Sequence, residues 1–256
     1  MEVTFMGTGT SHGVPVIACD CAVCRSTDLR DKRTRSAIYI QTDKISLQVD
    51  TPPDFHRQCL RENIRCVDAV LLTHPHTDHI MGFDDLRRFC EMHDFCIPVY
   101  GSQTTLENLK RVFRYAFLDH GVSTYVRPEA IPIFPHFTLE DLAITTVDLP
   151  HGAMTTTGFV FEDSHGHRLA YYTDCESIPE AAVDAARDCD VLIIDALRHE
   201  PHSTHMTVKA ATEAARRIRA GRTYFTHICH SLGHAETEAD LPADIRLAYD
   251  GLKIKL

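Results

Sequence analysis

The chain is short of basic residues and has no long apolar run. Lysine and arginine number 26 against 36 aspartates and glutamates, a formal net charge of −10 with neutral histidines. A general nucleic-acid binder carries a basic face, so no stable nucleic-acid partner is expected. A phosphate substrate stays open, because bound metal ions can supply local positive charge. No window reaches the roughly 18 uninterrupted apolar residues of a membrane-spanning helix, so no membrane partner is expected. The opening MEVTFMGTGTSHG has neither the basic segment nor the apolar stretch of a secretory signal, and the expected location is the cytoplasm. No Pro-, Ser- or Gly-rich linker divides residues 1–256 and no short-period repeat is visible, so a single domain is expected, with ample length for a core. A disulfide framework is not expected either, although there are 10 cysteines. Cys59, Cys66, Cys90, Cys96, Cys175, Cys189 and Cys229 are scattered and read as small buried hydrophobes.

Apolar periodicity and turn residues divide the rest. Glu2–Met6 reads as a strand before a glycine-rich turn. The mixed-charge run over 25–35 reads as a solvated loop or short helix. SAIYIQTDKISLQVD reads as a hairpin, and DAVLLT (Asp68–Thr73) as a buried strand. Ile97–Tyr100, Ala143–Leu149, Thr157–Phe161, Arg168–Thr173, Val191–Ile194 and Arg222–Thr226 are also strand-like. Helical patterns cover Pro53–Glu62, Phe83–Cys90, Thr104–Ala116, Pro179–Asp188 and Thr207–Ala220. Segment 102–118 is the candidate interface of a homodimer.

Ligand-capable residues recur at the ends of these strands. His74 and His76 follow LLT, His151 follows TTVDLP, Asp174 follows YYT and His227 follows YFT. In extended backbone, residues i and i+2 point the same way, so His74 and His76 can grip one ion. The chain then turns at Thr77, and Asp78 and His79 face the same space from another angle. Neutral imidazoles suit zinc, iron and manganese, and a carboxylate can bridge two ions. The assignment that follows is His74, His76 and His151 for one ion, Asp78, His79 and His227 for the other, with Asp174 bridging. Two divalent cations against two carboxylates leave a net positive site for an anionic substrate such as a phosphodiester. A water between ions about 3.5–4 Å apart would be the nucleophile. A second cluster, C-x-C-x2-C at Cys19, Cys21 and Cys24, suits a structural zinc in a loop at about 18–25 but lacks a fourth local ligand.

HPHTDH resembles the signature of the metallo-β-lactamase superfamily. GTGTSHGVP, the order of the later ligands and the ending LAYDGLKI extend the similarity along most of the chain. Within that superfamily the sequence looks most like the PhnP-type phosphodiesterases; tRNase Z and PqqB proteins look like more distant relatives. The resemblance implies a four-layer αββα sandwich with a metal site at one edge. It implies two active-site divalent cations (zinc or manganese, with iron as another option) and one structural zinc whose fourth ligand is His230. Cys229 competes for that place. It also implies that His205, ahead of the helix TVKAATEAARRIRA, is the proton donor, with His202 the main alternative among His199, His202, His205 and His234. Asp78 is counted with His205 as a catalytic candidate. The implied activity is hydrolysis of small cyclic or nucleotide-like phosphodiesters. A tRNA 3′-processing nuclease and a PqqB-like redox protein are the alternatives, and a thioesterase or lactonase would use the same nucleophile. Among lesser signals, Asp50 either orients a ligand or caps a turn. Ser11 and His12 are candidates for the cleft wall. Arg33 and Arg35 are candidates for a phosphate contact, against the reading of a solvated face.

Overall fold

The apolar runs divide their side chains among three separate cores. In the computed structural model, which describes residues 1–118 and 125–256, the run at 69–72 sends Ala69 and Leu71 one way and Val70 and Leu72 the other. The run at 191–194 likewise sends Val191 and Ile193 inward, Leu192 and Ile194 outward. Strands buried on both faces read as continuous apolar runs, which is how these two appear in the sequence.

The first sheet contains β1 (Glu2–Gly7), β2 (Ala37–Gln41), β3 (Ser46–Val49), β4 (Ala69–Leu71), β5 (Ile97–Gly101) and β6 (Pro128–Pro132). The second contains β7 (His136–Leu139), β8 (Leu142–His151), β9 (Met154–Asp163), β10 (Arg168–Tyr172), β11 (Val191–Asp195), β12 (Arg222–Thr226) and β13 (Ile245–Leu247). β14 (Lys253–Lys255) returns to the first sheet beside β1, so the orders are β14-β1-β2-β3-β4-β5-β6 and β13-β12-β11-β10-β9-β8-β7. Pairing is parallel from β3 to β6 and from β10 to β13, and antiparallel elsewhere. Phe5, Ile38, Leu47 and Leu71 of the first sheet meet Phe159, Phe161, Tyr171 and Ile193 of the second in the middle core.

Helices cover the outer faces. They are α1 (Ala22–Arg25), α2 (Phe55–Glu62), α3 (Thr77–Ile80), α4 (Arg87–His93), α5 (Gln103–Val112), α6 (Glu180–Ala186), α7 (Val208–Ile218) and α8 (His234–Asp240). Phe55, Phe89, Leu106 and Leu109 pack on the first sheet; Ala182, Val183, Ala211 and Ile218 pack on the second. α7 shows the local logic: Thr207 caps it by accepting from the Ala210 N–H, Val208, Ala211, Ala215 and Ile218 line one buried face, and Arg219 ends it in the left-handed region. The result is the four-layer αββα sandwich. Among the described residues no helix is long and apolar enough to cross a membrane.

The scattered cysteines are not uniformly buried. Cys90, Cys175 and Cys189 are; Cys59, Cys66 and Cys229 are partly exposed and Cys96 is exposed.

Candidate metal centre

The strand ends of both sheets meet at one edge of the sandwich. Beyond β4 the chain carries Thr73, His74 and His76, then enters α3, which holds Asp78 and His79. β8 ends on His151, and Asp174 and His227 follow β10 and β12 by one or two residues. Two groups form, each with its ligand atoms within 4.8 Å of one another: His74, His76 and His151, then Asp78, His79, Asp174 and His227. Asp174 sits between them. Its Oδ2 lies 3.9 Å from His74 Nε2 and 3.1 Å from His227 Nε2, and its Oδ1 lies 3.3 Å from His79 Nε2. That is the placement a bridging carboxylate requires.

The backbone is bent to achieve it. Asp50, Asp174 and His227 adopt φ of 61°, 55° and 58°, the left-handed region. Such conformations cost free energy and persist where the surroundings enforce them. Here each turns a side chain across the strand end.

The donor set fits cations. Nε2 of His79 and of His227 are buried without a hydrogen-bond partner among the described residues. Asp78 Oδ2 approaches them at 3.5 and 3.8 Å. Burial keeps His74 well below its ordinary pKa, hence neutral, with the His79 charge adding to the effect. Burial acts against a charged His79 or His227 too, yet Asp174, with Asp78, holds both above the usual histidine value. Burial opposes ionisation of Asp78 and Asp174 as well, but the facing imidazoles, His79 for the first and His227 for the second, carry both below the usual carboxylate range. The pocket attracts positive charge, as protons or as metal.

Three of the remaining imidazole nitrogens are fixed from behind. His79 Nδ1 donates to Asp50 Oδ2 at 2.7 Å; the Thr73 hydroxyl donates to the same oxygen at 2.8 Å and lies 3.0 Å from His74 Nδ1. Asp50 thus takes the orienting role, reaching His79 directly and His74 through Thr73. His151 Nδ1 donates to the Thr204 carbonyl at 2.9 Å. Such contacts set tautomer and ring orientation.

His205 borders the same cleft, which holds about 410 Å³ and is also lined by Ser11, His76, Asp78 and Met154. Its Nδ1 donates to Asp195 Oδ2 at 2.7 Å, and its ring stacks on His227 at 4.5 Å. Asp195 is absent from the sequence reading. Its signal was the strand-end position itself, since VLIID closes β11 as YYTD closes β10. His199 and His202 are exposed. His12 is exposed and stands outside the cleft lining, whereas Ser11 is part of it.

Two sequence expectations, for Arg33 and His234, are corrected by the structure. Arg33 is 2 % exposed and bonds Thr8 Oγ1, the Ala248 carbonyl and His234 Nδ1, so it tethers the N-terminal loop rather than meeting substrate. Arg35 is engaged by Asp54 and the Ser11 carbonyl. His234 is buried beside Arg33, not in the cleft. Burial, helped by the Arg33 charge, lowers His234 to about 4. The unfolded chain then takes up this proton near pH 6.5 and the folded protein only near 4. The stabilisation is full above the first value and lost as pH falls towards the second. Relative to wild type, His234→Gln should reduce the loss of unfolding free energy between pH 7 and 4.5 by roughly 2 kcal/mol, an order-of-magnitude figure. Urea melts of metal-free protein at the two pH values check it.

Sγ of Cys19, Cys21 and Cys24 lie 3.2, 3.5 and 3.7 Å from His230 Nδ1. Tetrahedral zinc, with bonds of about 2.3 Å to sulfur and 2.0 Å to nitrogen, sets that ligand spacing near 3.6 Å. Cys229 turns instead to the Ser231 hydroxyl. The Cys21 thiol falls to about 6, first because the Cys24 N–H points at it, which favours the thiolate. The loop is continuous with the cleft: Ile228 N–H donates to Thr8 O and Thr10 N–H to Ile228 O, beside His227. Gly9 is required where this ribbon passes, since a Cβ there would lie 2.9 Å from Arg33 Cβ. Cys24→Ser is expected to remove about one zinc per chain and lower Tm by roughly 5–10 °C, with a partial loss of activity through His227. Metal analysis and calorimetry on the same sample check it.

The family model described as a beta-lactamase superfamily domain matches residues 47–228. The crystal structure of a new diphosphatase from the PhnP family superposes with a TM-score of 0.91 at 40% identity, covering 100% of this chain and 97% of that one. An octanoyltransferase of Porphyromonas gingivalis is 34% identical over 259 residues, 99% of this chain and 51% of that protein, so the chain spans about half its length. Coenzyme PQQ synthesis protein B of Methylobacterium nodulans is 27% identical over 222 residues, 76% of this chain and 72% of that protein.

Proposed function

The chain belongs to the metallo-β-lactamase superfamily, close to its PhnP group, and on that premise we propose that it hydrolyses small phosphodiesters or diphosphates with two divalent cations. The observation that carries this reading is the meeting of seven ligand residues from four chain segments beside a cleft bordered by His205. His74, His76 and His151 would hold one ion, Asp78, His79 and His227 the other, and Asp174 would bridge. Zinc or manganese suits these donors, with iron as another option. Bound ions would supply polarisation of the phosphoryl oxygens and a water of lowered pKa.

The protein's own residues do the rest. Asp195 Oδ2 accepts a hydrogen bond from Nδ1–H of His205 and would stabilise its imidazolium, whose Nε2–H would pass to the departing oxygen as the phosphorus–oxygen bond breaks. Asp78, which lines the cleft and stays anionic beside His79, would accept a hydrogen bond from the attacking water and orient it. The cysteine trio with His230 would hold a structural zinc that keeps the ribbon at Ile228 in register. A homodimer would use segment 102–118, where Val112 and Leu118 are exposed.

A second reading, hydrolysis of an acyl ester or thioester, draws on the identity to half of a protein named octanoyltransferase. The same water and the same proton donor would serve it. A screen of phosphodiesters, diphosphates, lactones and acyl thioesters against protein of measured metal content separates the two. Phosphoester or phosphoanhydride turnover should lead by at least about tenfold in kcat/KM, equivalent to 1.4 kcal/mol. Acyl transfer to water leading by that margin would replace the first reading with the second.

A further inference from the structure

Behind the cleft, one carboxylate has more to do than its direct contact with His205 explains. Asp195 is fully buried at the end of β11. Its Oδ2 accepts from His205 Nδ1 at 2.7 Å and from the Cys175 N–H at 3.0 Å. Its Oδ1 is buried and has no hydrogen-bond partner among the described residues. Nδ1 of His227 is likewise buried and unpartnered, although His227 is 1 % exposed. The hydroxyl of Thr226, the residue paired in register with Asp195 across the parallel β11–β12 ladder, is the third such atom. A carboxylate oxygen of Asp195 and a ring nitrogen of His227 lie within 4.8 Å of each other, and the His205 and His227 rings are stacked 16° from parallel. Buried polar atoms left unpaired are destabilising, and a single water bridging two to four polar partners is the usual remedy.

We propose that Asp195 is the positioning residue for two histidines, holding His205 directly and His227 through one buried water shared between Asp195 Oδ1, His227 Nδ1 and the Thr226 hydroxyl. Of the metal-centre imidazoles, His74, His79 and His151 each have Nδ1 fixed by protein, through Thr73, Asp50 and the Thr204 carbonyl. His227 is the buried one that is not, and the water supplies what it lacks. One carboxylate then sets both the orientation of the proton donor and the aim of His227 Nε2 at Asp78 and Asp174. The inference rests on the reading of His227 as a ligand, so its test uses metal affinity, which needs no substrate.

Three variants are compared: Asp195→Asn, Thr226→Val and His205→Ala. Zinc and manganese affinities are measured by chelator competition and kcat by its pH profile. Asp195→Asn should weaken the weaker-binding ion by roughly 10–100-fold and flatten the limb of the pH profile that belongs to His205. Thr226→Val should weaken metal binding by several-fold and leave that limb in place. His205→Ala should leave metal affinity within about twofold. Should Asp195→Asn fail to fold, a high-resolution crystal structure of the wild-type protein decides. A solvent peak within hydrogen-bond distance of Asp195 Oδ1 and His227 Nδ1 supports the proposal. Metal affinity unchanged in both Asp195→Asn and Thr226→Val, or no such peak, overturns it. Wild-type protein that binds no metal in the cleft would instead fail the ligand reading itself.

Discussion

Asp174→Asn is expected to lower turnover by roughly 10³-fold or more and to release metal from the cleft. Asp174 is the carboxylate that reaches both ligand groups, with oxygens 3.1 Å from His227 Nε2, 3.3 Å from His79 Nε2 and 3.9 Å from His74 Nε2. Asparagine keeps the size and one carbonyl oxygen but removes a negative charge from a fully buried position. A site holding two cations would then have only Asp78 for compensation. Truncating one partner of a buried charge set costs about 3–5 kcal/mol, which is 10²–10⁴ in an equilibrium constant. The change should not unfold the chain, because Asp174 lies beyond β10 and the three cores do not include it. Circular dichroism, metal analysis and kcat measured together check this. Wild-type turnover with a full metal complement in Asp174→Asn would remove the bridge from the account.

His205→Ala is expected to lower kcat by roughly 10²–10⁴-fold, the usual contribution of a positioned acid, with metal content near normal. His205 touches the cleft and Asp195 and lies within 4.8 Å of His151, Asp174 and His227, but the seven ligands assigned to the two ions do not include it. The loss should shrink for substrates whose departing oxygen is a weak base, since such a group leaves without a proton. A substrate pair differing in leaving-group basicity therefore separates proton donation from a general structural effect. Equal losses on both substrates, or metal loss alongside, would make His205 a ligand or a structural residue. Adding His202→Ala should change little, because His202 is exposed, hydrogen-bonds its neighbour Thr204 and meets His205 only ring to ring at 5.1 Å among the described residues.

The parts of this structure readable in sequence are those where local pattern and tertiary role coincide. DAVLLT and VLIID are apolar because both faces of β4 and β11 are covered, and the ligands stand out as polar residues closing such runs. Edge strands were not readable. β6 begins and ends with proline, as an edge strand tolerates, β13 and β14 are each three residues long, and β14 pairs with β1 at the other end of the chain. The run at 25–35 looked solvated because its charges alternate. Yet Arg33 is buried by partners 201 and 215 residues away, and no local pattern carries that information. Asp195 was hidden by adjacency, since one acidic residue ending an apolar strand resembles any strand end until His205 is folded against it.

Metal stoichiometry with activity, before and after chelation, tests the centre of the account most directly. About three ions per chain are expected: two from the cleft, removed by chelator with loss of turnover and regained on readdition, and one held by Cys19, Cys21, Cys24 and His230. Protein stripped of its cleft metals that keeps full turnover would contradict it.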